Sequence, residues 1–197
     1  MSTDSCYNAS GLLIEENGEE GAQEGSELYE VYDKYEKGIP EDCAVFRESK
    51  FLKKLDSYGY EKLRSENYLK SVFANMVALR LPDVVGPFDC TLRLLKYVLW
   101  FSGPCKAPIG YEDKDFVKKV SFVHSDDVVK TIVKLFQNPS WTGFRVWNIA
   151  CREQVHLDWL LRKIKECTKS NKEITHFKGN YICHNFLPSV ECGPIDI

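Results

Sequence analysis

Apolar residues recur at helical spacing in several long stretches of this chain and form dense runs in three short ones. Over 56–75, Leu63, Tyr68, Leu69, Val72 and Phe73 fall toward one side of a helix. A second helix is predicted over 91–101, where apolar residues occupy most of the circumference, and amphipathic helices over 128–137 and Leu157–Cys167. Met76–Leu81, closed by Pro82, reads as a buried strand, and 120–123 and 144–149 read as two more. Between them, 82–87 reads as a turn-rich loop at a strand end, and Asp126 as an acidic residue capping the helix that follows. Strands alternating with helices predict an α/β architecture with a largely parallel sheet.

The N-terminal quarter breaks this rhythm. Residues 8–26 are rich in Glu and Gly and read as an acidic loop. Gly18, Gly21 and Gly25 superficially suggest a phosphate-binding turn, but no strand precedes them and Glu19, Glu20 and Glu24 would repel a phosphate. Ser26 is placed to cap a helix over 26–37 that stops at Gly38, with Tyr29, Tyr32 and Tyr35 as a packing stripe.

Composition is that of a globular chain with a formal net charge of -3. The charge is uneven: residues 1–50 carry 13 acidic and 4 basic side chains, and the remainder 16 acidic and 22 basic. The lysines of the remainder are scattered, which argues for a solvated surface and against a nucleic-acid partner. The first residues have neither a basic nor an apolar leader segment, and the most apolar helix contains Lys96 and is too short to span a membrane. The eight cysteines show no Cys-x-x-Cys pair and the four histidines no ligand spacing, so buried free thiols in the cytoplasm, and no metal site, are expected.

The chemistry centres on Tyr58 and Lys62. Four residues apart on a helix, they share a face. A phenol is a poor proton carrier at neutral pH, and a fixed ammonium beside it favours the phenolate, making the oxygen usable as an acid or base. The competing reading is a surface helix with an incidental Tyr and Lys.

The order of the segments resembles the extended short-chain dehydrogenase/reductase family, the NAD-dependent epimerases and dehydratases of nucleotide sugars. Tyr58-Gly59-Tyr60-Glu61-Lys62-Leu63-Arg64-Ser65-Glu66 is similar to its "YGxSKxxxE" helix. Leu79-Arg80-Leu81-Pro82-Asp83-Val84-Val85-Gly86-Pro87 resembles "LRxxNVYGP". Ser121-Phe122-Val123-His124-Ser125-Asp126-Asp127-Val128 resembles "xFxHVDDVA", and Val146-Trp147-Asn148-Ile149-Ala150 resembles "xYNIG". Ser2-Thr3-Asp4-Ser5-Cys6-Tyr7 is similar to "STDEVYG", with Ser5 in place of the dehydratase glutamate and Asp4 matching the dehydratase acid.

The resemblance implies a fold that is the C-terminal part of a Rossmann-like, doubly wound parallel sheet with a small substrate-binding subdomain. Residues 8–50 form an acidic insertion in this reading, and 56–165 the best-matching core. It implies hydride transfer between a substrate and NAD or NADP, with Thr3, Tyr58 and Lys62 as catalytic residues. Tyr58 would move the proton and Thr3 would polarise the same substrate oxygen. Lys62 would tune Tyr58, and the pair would meet the nicotinamide ribose. Asp83 stands where the family has a substrate-contacting asparagine, and Phe88 where some members have an arginine. The family's glycine-rich strand, turn and helix have no counterpart here, nor does its final helix. Cofactor binding is therefore expected to be incomplete, and this chain alone inactive. The expected partners are a small sugar-nucleotide-like substrate and a second copy docked through the Tyr58–Lys62 helix. Two alternatives stay open: a non-catalytic RNA- or protein-binding relative on the same fold, and a steroid- or flavonoid-type reductase.

Overall fold

The computed structural model describes residues 2–3, 6–10, 41–104, 109–111, 119–139, 141–153 and 155–176. The expected helix over 26–37, the glycines at 18, 21 and 25, and most of the acidic loop lie outside them.

In chain order the elements begin with β1 (Ser2–Thr3), α1 (Cys6–Ala9) and a 3-10 turn (Glu41–Cys43). Then come α2 (Lys50–Leu55), α3 (Ser57–Val72), β2 (Met76–Leu81), β3 (Asp83–Val85) and α4 (Leu95–Ser102). They continue with β4 (Ile109–Tyr111), β5 (Lys119–Val120), β6 (Phe122–His124) and α5 (Ser125–Gln137). The last are β7 (Phe144–Asn148), β8 (Val155–His156), α6 (Leu157–Cys167) and β9 (Ile174–His176). β1, β2 and β7 form a parallel sheet in the order β1-β2-β7, with Thr3 beside Leu81 and Arg80 beside Asn148. β3 pairs β6 in parallel, β4 pairs β9 in parallel, and β5 pairs β8 antiparallel. The α/β class with parallel strands is therefore as the sequence predicts.

Alternation along β2 and β7 separates the two sheet faces. Leu79 and Leu81 pack with Val123 and Val128, against Ile132, Leu135, Trp147 and Ile149, so α5 covers that face. Arg80 lies on the opposite face and meets Glu66 of α3, while Leu63 of α3 packs with Cys6, Tyr7 and Ala44. A separate lobe joins α4 to α6 through Tyr97, Phe101, Val120, Leu157 and Leu161. Leu157 and Leu161 are essentially inaccessible, and burying each contributes about 1.5–3 kcal/mol. The turn after α6 ties this lobe together. Lys169 adopts φ 52°, Ser170 Oγ donates to the Phe101 carbonyl at 2.8 Å, and Lys172 Nζ donates to the Trp100 and Gly103 carbonyls that α4 leaves unpaired.

Several local expectations are corrected. α3 buries Gly59, Tyr60, Leu63 and Glu66, whereas Tyr68, Val72 and Phe73 are exposed. Its buried stripe carries a charge, so apolar periodicity points to the wrong side. The helix over 91–101 starts only at Leu95, because Asp89 first holds Thr91 and Arg93 in a turn. The loop over 82–87 contains β3, and the strand over 120–123 splits at Ser121 into β5 and β6, which join different sheets. α5 starts at Ser125 and is capped by His124, whose Nδ1 accepts from the Asp126 N–H at 3.2 Å; Asp126 is not the cap. Of the free cysteines described, Cys6 is buried, but Cys90, Cys151 and Cys167 are exposed.

Candidate functional site

Helix α3 carries Tyr58 and Lys62 in its first two turns. Ser49 caps α2 by accepting from the Leu52 N–H, and Asp56 then caps α3, its Oδ1 accepting from the Gly59 N–H at 2.8 Å. Tyr60 points inward, packed on Leu52 and tilted against Phe46 at 5.3 Å between rings, and its hydroxyl accepts from the Ser49 N–H. That packing fixes the rotation of the helix and turns Tyr58 outward.

Tyr58 is 59% exposed, and Lys62 Nζ lies 5.5 Å from its ring centroid. The ammonium therefore sits over the ring, in cation–π contact. The pair expected from sequence is brought together, on an open surface.

Thr3 lies on β1 beside Leu81, at the strand end from which the chain turns through Pro82 into β3. Its side chain, with Asp4 and Ser5, is outside the description. Asp83 is buried and forms an ion pair with Arg93, Nε to Oδ1 at 2.5 Å. Lys96 stands close by. Burial pushes its ammonium below the ordinary lysine value, the Asp83 charge opposes that, and Arg93 adds to it. Phe88 is fully exposed at φ 67°. Gly86 adopts φ +154°, and a β-carbon there would lie 2.2 Å from Ser125 Oγ, so the turn after β3 takes glycine for both reasons.

The sequence reading missed what four of its motif segments do together. Glu66 of the first block accepts twice from Arg80 of the second, from Nε at 3.1 Å and from Nη2 at 2.7 Å. Arg80 also donates to the Glu41 and Ala44 carbonyls and stacks 5.1 Å from the Tyr7 ring centroid. The Tyr7 hydroxyl donates to Asn148 Oδ1 at 2.7 Å, and Asn148 N–H donates to Glu41 Oε1 at 3.3 Å. Burial works against the Arg80 charge, yet hydrogen bonding and the charge of Glu66, aided by Tyr7, hold its pKa above the ordinary arginine value. Much of what makes these segments recognisable is thus a buried structural network and not Tyr58 and Lys62. A buried charged residue on a helix face, Glu66, with an arginine inside an apolar strand, was the available signal.

A groove of about 1060 Å³ lies elsewhere: it is lined by α3, α5, β7 and the segment 41–46, and Tyr58, Lys62 and Asp83 are not among its walls. Among the described residues, no group of histidine, cysteine and carboxylate side chains could hold a metal, and no helix is long and apolar enough to cross a membrane.

No family model matches the chain, and no curated protein sequence does. Solved structures match in fold. The Bordetella bronchiseptica enzyme WbmG in complex with NAD and UDP superposes with a TM-score of 0.54 at 19% identity, over 78% of this chain and 43% of that one. A dTDP-glucose 4,6-dehydratase from Bacillus anthracis in complex with NAD gives 0.55 at 15% identity, over 91% and 49%. A UDP-N-acetylglucosamine 4-epimerase from Methanobrevibacter ruminantium gives 0.52 at 18%, over 71% and 44%. The chain spans less than half the length of each of these three neighbours. The fold is therefore the Rossmann-like fold of NAD-dependent epimerases and dehydratases.

Proposed function

We propose that this chain carries the proton-transfer half of an NAD(P)-linked oxidoreductase that acts on a hydroxyl or carbonyl of a sugar-nucleotide-like substrate. One observation carries the reading: Lys62 Nζ stands 5.5 Å from the ring of an outward-facing Tyr58, on a helix whose rotation is fixed by packing. A bound nicotinamide would supply the hydride exchange. Tyr58 Oη would exchange the proton with the substrate oxygen, and Lys62 would stabilise the phenolate and meet the ribose hydroxyls. Thr3, at the end of β1, would polarise the same oxygen, and Asp83 would hold the substrate side through its partner Arg93.

The residues fit only part of the cofactor. Tyr58 and Lys62 suit its nicotinamide ribose, while no strand that runs through a turn of several glycines into a helix N-terminus, the unit that cradles a pyrophosphate, occurs among the described residues. The chain alone is therefore proposed to bind NAD(P) weakly and to turn over little. Tyr68 and Val72, exposed further along the helix that carries Tyr58 and Lys62, are proposed as the face for a second copy.

The test is hydride transfer, read as reduced nicotinamide, at high NAD or NADP with a panel of UDP- and dTDP-linked sugars. Activity lost in Tyr58→Phe and Lys62→Met supports the reading; activity unchanged in Tyr58→Phe removes Tyr58 from the chemistry.

A second reading, a non-catalytic binding protein on this fold, is favoured by one feature: the groove of about 1060 Å³ excludes Tyr58 and Lys62.

A further inference from the structure

The groove of about 1060 Å³ has an unusual set of walls. Six consecutive residues, 144–149, line it, together with α3 on one side, α5 on the other and the segment 41–46 closing it at the Asn148 end. Consecutive strand residues point to opposite faces of a sheet, and α3 and α5 cover opposite faces of this one. A groove touching all of them must run along the edge of β7. That edge is the outer one, because β7 is the terminal strand in the order β1-β2-β7 among the described residues.

The backbone register says which groups face the groove. Ile149 N–H donates inward to the Arg80 carbonyl, whereas Asn148 N–H donates outward to the carboxylate of Glu41. By alternation the N–H and C=O of Val146 and Phe144 also face outward. At the Asn148 end, the chain has already placed an acceptor, Glu41 Oε1, on the exposed ladder. The edge beside Phe144 and Val146 continues the same pattern into the groove.

Charge narrows the occupant. Lys70, Lys134 and Arg145 line the groove, and none has a carboxylate partner among the described residues; Lys70 rests on the Phe144 ring at 5.8 Å, next to Arg145. Of the carboxylates in the walls, Glu66 is paired with Arg80 and Glu41 accepts from the Asn148 N–H, which leaves Asp42 at that end. Further along, Val146, Trp147 and Leu135 give apolar walls.

We propose that the outer edge of β7 is a strand-addition site for an extended segment of a partner protein, apolar in its middle and acidic where it passes Phe144. Main-chain hydrogen bonds to Val146 and Phe144 would supply the docking, and the three cations the preference. The proposal does not depend on turnover at Tyr58 and Lys62.

The probe is a short fluorescein-tagged peptide of alternating glutamate and valine, titrated into the whole chain by anisotropy. Val146→Pro removes a donor that faces the groove and leaves the ladder to β2 intact. Losing that main-chain bond should weaken binding about tenfold. Arg145→Glu should weaken it by about the same factor, with the difference shrinking in high salt. A peptide N-methylated at alternate residues, tested on the unaltered protein, should also bind about tenfold more weakly, which keeps the test independent of whether the proline variant folds. Equal affinity for the N-methylated peptide, or no binding of the parent peptide, overturns the proposal. So does self-association of the chain through this edge, seen by sedimentation and abolished by Val146→Pro, or displacement of the peptide by polyuridylate with no dependence on Val146.

Discussion

Arg80 and Glu66 form a buried bidentate ion pair, with Nε to Oε1 at 3.1 Å and Nη2 to Oε2 at 2.7 Å, and join the C-terminal end of β2 to the inner face of α3. Removing one partner leaves the other charged, buried and uncompensated. Arg80→Met or Glu66→Leu alone should cost about 3–5 kcal/mol, and the double variant distinctly less than the sum. Urea denaturation of the three variants checks this; additive losses would mean that the two side chains do not act as a unit.

Tyr7 and Asn148 close the same network from β7. Tyr7→Phe keeps the packing and deletes one buried hydrogen bond, so a loss of about 1–2 kcal/mol in the denaturation midpoint free energy is expected. Asn148→Ala, which removes the acceptor of that hydrogen bond, should cost at least as much.

Lys96 gives a stability–pH signature. Burial holds its folded pKa below the ordinary value near 10.5, against the pull of Asp83. Between the lowered value and the ordinary one, the unfolded chain binds more protons, so this group makes stability rise with pH across that window. Below the window Lys96 is charged in both states and its desolvation cost is felt in full. Lys96→Met should flatten the rise in alkaline denaturation series; an unchanged slope would show that burial does not govern this lysine.

Cys151 is exposed at its surface yet has its thiol pushed up, first by partial burial and then by the Asp127 charge, against a hydrogen bond from the His124 backbone. Alkylation of a variant retaining Cys151 alone should therefore reach half-maximal rate at a pH above that of an unperturbed thiol. Asp127→Asn should move that pH down. A midpoint unmoved by Asp127→Asn would dismiss the charge as a cause.

The elements were legible wherever one period dominated: β2 and α6 are where the pattern places them, and α3 ends within a few residues of its expected bounds. The parallel sheet followed from strands and helices alternating. What failed did so for physical reasons. α3 carries two stripes, and the buried one includes Glu66, which no apolar count ranks as core. Its pairing with Arg80, and that of Tyr7 with Asn148, spans distant segments and leaves no periodic trace. β3 has three residues after a proline, too few to show alternation, and His124 caps α5 although histidine lies outside the usual capping set. At the candidate site, the Tyr58–Lys62 spacing was visible directly, while the Asp83–Arg93 pair depends on a turn built by Asp89.

The most direct test of the central claim is a titration of NAD into the chain with tyrosine rings and lysine side chains isotopically labelled, followed by NMR. Selective shifts of the Tyr58 ring and the Lys62 terminal methylene are expected, saturating only at roughly millimolar NAD, with Tyr60 and Tyr68 of the same helix unmoved and the Lys62 shift reduced in Tyr58→Phe. Shifts confined to residues of the β7 groove, or none at Tyr58 at millimolar NAD, would contradict the assignment of this pair to cofactor-linked proton transfer.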